Sequence, residues 1–258
     1  MRARSVSLVT CALLVVVLSA AASSAATGSG RRGPYAYIPP RLGGVYGVGV
    51  HGPGSYAILI DVHRARAAKP SGTANCSNAG AESGKYAYTG WKIAASRQAH
   101  LNVSSVPAYL GSVTTDLQSS WNAWRAGDSA VPSVSVRTDG SVTKYTANRS
   151  YDLLWGRTGG SLATTYTWRW NDGFIESDTV FNRGYTWWRA PGEGDGCYEN
   201  AGSVYDVANI ATHEFGHSYG MDHPANARFE TMYAYGYTGE TLKRSLATGD
   251  TAGIRALY

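Results

Sequence analysis

The chain has 258 residues, with 23 Lys and Arg against 18 Asp and Glu, and 43% of it is hydrophobic. That length suits one domain with an extension, and its mild, scattered positive charge speaks against a nucleic-acid groove or a polybasic membrane patch.

Arg2 and Arg4 precede an apolar run from Val9 to Leu18 and small residues from Ala20 to Ala26. The run is too short for a membrane span and has the layout of an export signal, cut near Ala25 or Ala26. Residues 1–26 are therefore expected to be removed and the mature protein to be secreted. The charge count becomes 21 basic (23 less two arginines) against 18 acidic, about +3. Cys11 leaves with the signal, so Cys76 and Cys197 remain as an even pair in an oxidising compartment, where a disulfide between them is expected.

Residues 27–84 are rich in Gly, Ala, Ser and Pro, and carry one convincing strand, Tyr56 to Val62. They read as a propeptide or a small β-rich extension. The composition shifts near Lys85, where a catalytic domain of residues 85–258 is expected to begin. After Pro107, the residues Leu110, Val113, Leu117, Trp121 and Trp124 recur every three or four positions, the apolar face of a helix. Strands are expected at Ser133 to Arg137, Leu162 to Trp170 and Phe174 to Phe181, with Asn171-Asp172-Gly173 turning the last two into a hairpin. A helix over Val204 to Tyr219 has Ser203 and Asp206 as a carboxylate variant of the capping box, and a final helix fits Asp250 to Leu257. The abundant Trp and Tyr alternate within strands, which favours core packing over a sugar-binding platform.

The stretch HEFGHSYGMDH runs from His213 to His223. Histidines four apart on a helix share a face, so His213 and His217 can offer both imidazoles to one ion. Gly220 lets the chain turn sharply and bring His223 back as a third ligand. Three neutral ligands leave a fourth position open, the arrangement of a catalytic zinc and not of a closed structural one. Glu214 adjoins the ligands without being placed as one, and suits the role of general base.

With these residues the sequence resembles the metzincin clan of zinc peptidases and, within it, the matrixin family, especially its secreted microbial members. Asp206-Val207 through Ala211-Thr212 is similar to the family's helix approach, Glu230-Thr231-Met232-Tyr233 to its Met-turn, and Leu246 to Tyr258 to its C-terminal helix. Gly160-Ser161-Leu162-Ala163 resembles the edge strand on which substrates lie, and Asp178 to Phe181 a neighbouring strand. The resemblance spans Lys85 to Tyr258. It implies an α/β (α+β) domain in which a twisted mixed sheet lies above a cleft, with the active-site helix below and a C-terminal helix. Met232 would support the three histidines from beneath.

The resemblance also implies hydrolysis of a peptide or protein substrate bound as an extended strand along Leu162 and Ala163. The side chain after the cut would enter a pocket walled by the metal helix and Tyr233, Ala234, Tyr235 and Gly236. One catalytic Zn²⁺ is expected. Ca²⁺ sites common in the family have no recognisable acidic loop here, and a monomer without nucleic-acid or membrane partners is expected. The chain departs from the family in lacking a cysteine-switch motif and in carrying Pro224 after the third histidine. His51, His63 and His100 are too dispersed for a second, structural zinc. Hydrolysis of a non-peptide amide, or a secreted binding protein with an aromatic-rich carbohydrate-binding extension, are the alternative readings.

Overall fold

A computed structural model describes residues 45–51, 54–66, 83–193 and 202–258. The expected signal segment and both Cys76 and Cys197 lie outside the described residues. In chain order the elements are β1 (Val45–His51), β2 (Gly54–Arg66), β3 (Ala87–Tyr88), β4 (Arg97–Leu101), α1 (Thr114–Gly127), β5 (Val134–Thr138), β6 (Tyr151–Gly156), β7 (Ser161–Trp170) and β8 (Ile175–Asn182). They continue with β9 (Trp187–Trp188), β10 (Tyr205–Asp206), α2 (Val207–Tyr219), β11 (Met221–Asp222), β12 (Tyr235–Tyr237) and α3 (Thr248–Leu257).

The fold is α/β. Its main sheet has the order β1-β2-β7-β8-β6-β4-β5, with β12 joining it through β2. Strands β5, β4, β6 and β8 run parallel, whereas β7 is antiparallel to β8 and β2 antiparallel to β7. The Asn171-Asp172-Gly173 turn does close the β7–β8 hairpin, with Gly173 at φ 84°. Strand β2 has β7 along one side, and β1 and then β12 along the other.

The expected face of α1 is buried throughout, but the helix starts only at Thr114. Gly111, at φ 63°, interrupts any earlier helical path, so Leu110 sits in a short 3₁₀ turn and Val113 becomes the N-cap. The helix packs on α2 through its tryptophans. Trp121 stacks on Phe215 with ring centres 4.0 Å apart, and the indole N–H of Trp124 donates to the Thr212 carbonyl (2.8 Å).

The chain enters α2 later than the capping pattern suggested. Tyr205 and Asp206 pair with β9, and Asp206, not Ser203, caps the helix by accepting the Asn209 N–H (2.8 Å). The same carboxylate accepts from the Ala190 N–H and from Arg244, which ties the helix start to two loops. At the other end Gly220 adopts the left-handed conformation, φ 106°, that ends a helix without a Cβ penalty.

Helix α3 begins at Thr248 and anchors the segment beneath the histidines. Asp250 accepts the backbone N–H groups of Thr231 and Met232, and Glu230 accepts that of Gly249 (2.8 Å). Burial pushes the Asp250 carboxyl up to about 7.

Two substitutions test this packing. A Cβ on Gly216 would run into Sδ of Met232 and the indole of Trp124, so Gly216→Ala should lower stability by about 1–3 kcal/mol, read from denaturant unfolding. Asp250→Ala strands two buried N–H groups at about 1–3 kcal/mol each, and should lower the melting temperature by more than Asp250→Asn, which keeps one acceptor.

Candidate metal centre

Helix α2 holds His213 and His217 one turn apart, and the tight exit at Gly220 returns His223 to the same point. The three Nε2 atoms form a triangle with sides of 3.0, 3.1 and 3.2 Å. Nδ1–H of His213 donates to the Thr231 carbonyl (2.7 Å), and that of His217 to the Met221 carbonyl (3.0 Å). A carbonyl only accepts, so both rings carry their proton on Nδ1 and turn an Nε2 lone pair inward.

Lone pairs packed this closely repel unless a cation sits among them. Nitrogens bound tetrahedrally at about 2.0–2.1 Å from a zinc would stand roughly 3.4 Å apart, close to the observed triangle. Burial holds His213 and His223 well below the usual imidazole range and brings His217 down to about 4, so all three are neutral, as metal ligands must be. The residues thus fit the metal.

Glu214 is fully buried beside the histidines. The Thr165 hydroxyl donates to its Oε2 (2.6 Å), whereas Oε1 has no hydrogen-bond partner. Burial pushes this carboxyl up to about 8. A neighbouring cation would favour the ionised form and oppose that shift. Met232 is fully buried, with its Sδ beside Gly216 of α2.

Leu162 and Ala163 are buried on β7, and a Cβ on Gly236 would meet Cδ1 of Leu162 (2.8 Å), Cδ1 of Ile210 (3.0 Å) and Nε2 of His63 (3.1 Å). Tyr235 and Gly236 belong to β12, and Tyr233 and Ala234 lead into it. The buried Lys243 ammonium holds this segment in place, donating to the Tyr235 carbonyl (3.0 Å) and to Glu240 (2.6 Å).

Between the two rims runs β2. It pairs antiparallel with β7, His63 opposite Ala163 and Asp61 opposite Thr165, and parallel with β12, Arg64 opposite Tyr235. The backbone N–H of Arg64 donates to the Ala234 carbonyl (3.0 Å). Two of its side chains reach the cluster. The His63 ring stacks on His213 with centres 3.8 Å apart, and its Nδ1 is 3.6 Å from Glu214 Oε1. Asp61 Oδ2 is 3.8 Å from His217 Nδ1, and neither of its oxygens has a hydrogen-bond partner.

Asp61, His63 and Thr165 carried no sequence signal as site residues. Thr165 shares the inward face of β7 with Ala163, so the alternation of that strand offered a hint. His100 pairs instead with Asp139 (2.9 Å), away from the cluster.

Among known protein families, the matrixin peptidase model matches residues 101–258, more than half of the chain. No curated protein matches the sequence. With the histidine triangle, the buried glutamate and the buried Met232 all inside the matched region, the chain belongs to the matrixin family of zinc metalloendopeptidases.

Proposed function

We propose that this chain is a secreted endopeptidase that binds a protein or peptide as an extended strand and hydrolyses an internal bond with Glu214 as general base. The observation that carries this reading is the inward triangle of three neutral histidine nitrogens with a buried carboxylate beside it, between two strand rims. His213, His217 and His223 would hold the zinc, which when bound polarises the scissile carbonyl and makes water acidic enough to use near neutral pH.

The chain's own groups do the rest. Strands β7 and β12, whose facing backbone groups pair with β2 in this structure, would take an extended peptide between them once β2 is displaced, which would fix its register. The Thr165 hydroxyl orients Glu214. Glu214 takes a proton from water as its oxygen bonds to the carbonyl carbon, and delivers that proton to the amine nitrogen as the C–N bond breaks. The side chain after the cut would enter a pocket walled by the metal helix and Tyr233 to Gly236, where His63 lies between His213 and Gly236 in this structure.

Export rests on the leader pattern of residues 1–26, and a bridge between Cys76 and Cys197 would follow from export. Intact and non-reduced mass analysis of the exported protein is expected to show a start near Thr27 and no alkylatable thiol. Free thiols at both cysteines would reject the bridge.

The mechanism separates base from ligand. Glu214→Gln should keep one zinc per chain while cleavage falls by about 10² to 10⁴. His213→Ala or His217→Ala should lose both metal and activity. Zinc loss in Glu214→Gln equal to that in the histidine variants would make Glu214 a ligand and overturn the assignment.

A further inference from the structure

Glu214 and Ser218 stand four apart on α2 and so share one face of the helix. The sheet meets that face with hydroxyls. Side chains alternate along a strand, which puts Thr165 of β7 on the same side as Ala163, and Thr179 of β8 on the same side as Ser177. Thr165 lies directly opposite Thr179 in the β7–β8 ladder. Two bonds fasten the helix to these strands: the Thr165 hydroxyl donates to Oε2 of Glu214 (2.6 Å), and the Ser177 and Ser218 hydroxyls pair (2.7 Å). All five side chains are buried.

Counting hydrogens gives the contacts a direction. A hydroxyl has one hydrogen to donate and can also accept, whereas an ionised carboxylate oxygen only accepts. Thr165 therefore spends its hydrogen on Glu214, where the side-chain bond of 2.6 Å outweighs the 3.3 Å approach to the Glu214 backbone carbonyl. Thr165 Oγ1 is also 3.2 Å from Thr179 Oγ1, and with the first hydrogen spent, Thr179 is the donor there. The order runs from Thr179 to Thr165 to Glu214, and each bond in such a chain polarises the next.

The two oxygens of Glu214 are thereby unequal. Oε2 accepts a short, charge-assisted bond, which lowers its appetite for a proton. Oε1 has no hydrogen-bond partner, and Nδ1 of His63 stands 3.6 Å from it, beyond hydrogen-bond reach.

We propose that the Thr179–Thr165 hydroxyl pair divides the work of Glu214 between its oxygens, with Oε2 as the fixed anchor and Oε1 as the atom that takes the proton from water and returns it to the amine. Both threonines are positioning residues, acting through Glu214. With Oε2 held, the carboxyl cannot turn about its last bond, so a proton taken on Oε1 stays where it was taken until the C–N bond breaks. This deepens the reading of Glu214 as general base and rests on it.

The test takes the zinc-loaded full chain with its glutamates carbon-13 labelled at the side-chain carboxyl. The infrared difference against Glu214→Gln isolates the Glu214 carboxylate stretch, which is read without turnover. Thr165→Val keeps the shape and removes the donor. It should shift that band, keep its zinc, and lower kcat for peptide cleavage about ten-fold or more with KM changed less than about two-fold, the pattern of a misaligned base. Thr165→Ser should restore both band and kcat. Thr179→Val should move both in the same direction as Thr165→Val but less, by about two- to three-fold in kcat.

A folded, zinc-loaded Thr165→Val chain with the wild-type band and kcat would overturn the proposal. So would a Thr165→Ser chain as impaired as Thr165→Val, because packing and not the hydroxyl would then be at work. If Thr165→Val does not fold, the other two variants decide, and an unmoved band in Thr179→Val overturns the relay. Cleavage by Glu214→Gln at the wild-type rate would refute the base itself, whatever the band shows.

Discussion

All 13 residues of α2 are buried, polar ones included, and the rest of the molecule is arranged around that fact. A helix with no solvent face has to find partners for every polar group it carries. Asn209 accepts the Lys243 N–H and donates to Glu240, Thr212 bonds back to the helix, and Ser218 pairs with Ser177 of β8. The histidines bond two backbone carbonyls through Nδ1, and their inward nitrogens are left with only one another. Metal binding is thus the remaining satisfaction for a helix already committed on every other side.

That commitment explains why the segments around the helix are short and tightly pinned. Asp206 fixes its start, Gly220 its end, and Asp250 and Glu230 fix the Met-turn underneath. Gly216 leaves room for Met232 and Trp124 at the point of closest approach. The ligand geometry inherits its precision from these supports, since a ring held at both Nδ1 and its backbone has little freedom to miss the ion.

What the sequence made legible was local. The 3.6-residue spacing in α1, the spacing from His213 to His223 and the Asn171-Asp172-Gly173 turn each concern residues within one element, where side-chain direction follows from backbone period. Boundaries slipped where a neighbour intervened, as when β10 pairing left Asp206 to cap α2. Strands β4 and β6 went unseen: Arg97–Leu101 is mixed in character, and the continuously buried Tyr151–Gly156 lacks the alternation that marks a half-exposed strand. Pairing partners are non-local, so the strand around Tyr56 was visible as a strand while its place between β7 and β12 was not. For the same reason Asp61, His63 and Thr165 became site residues only once the sheet was assembled.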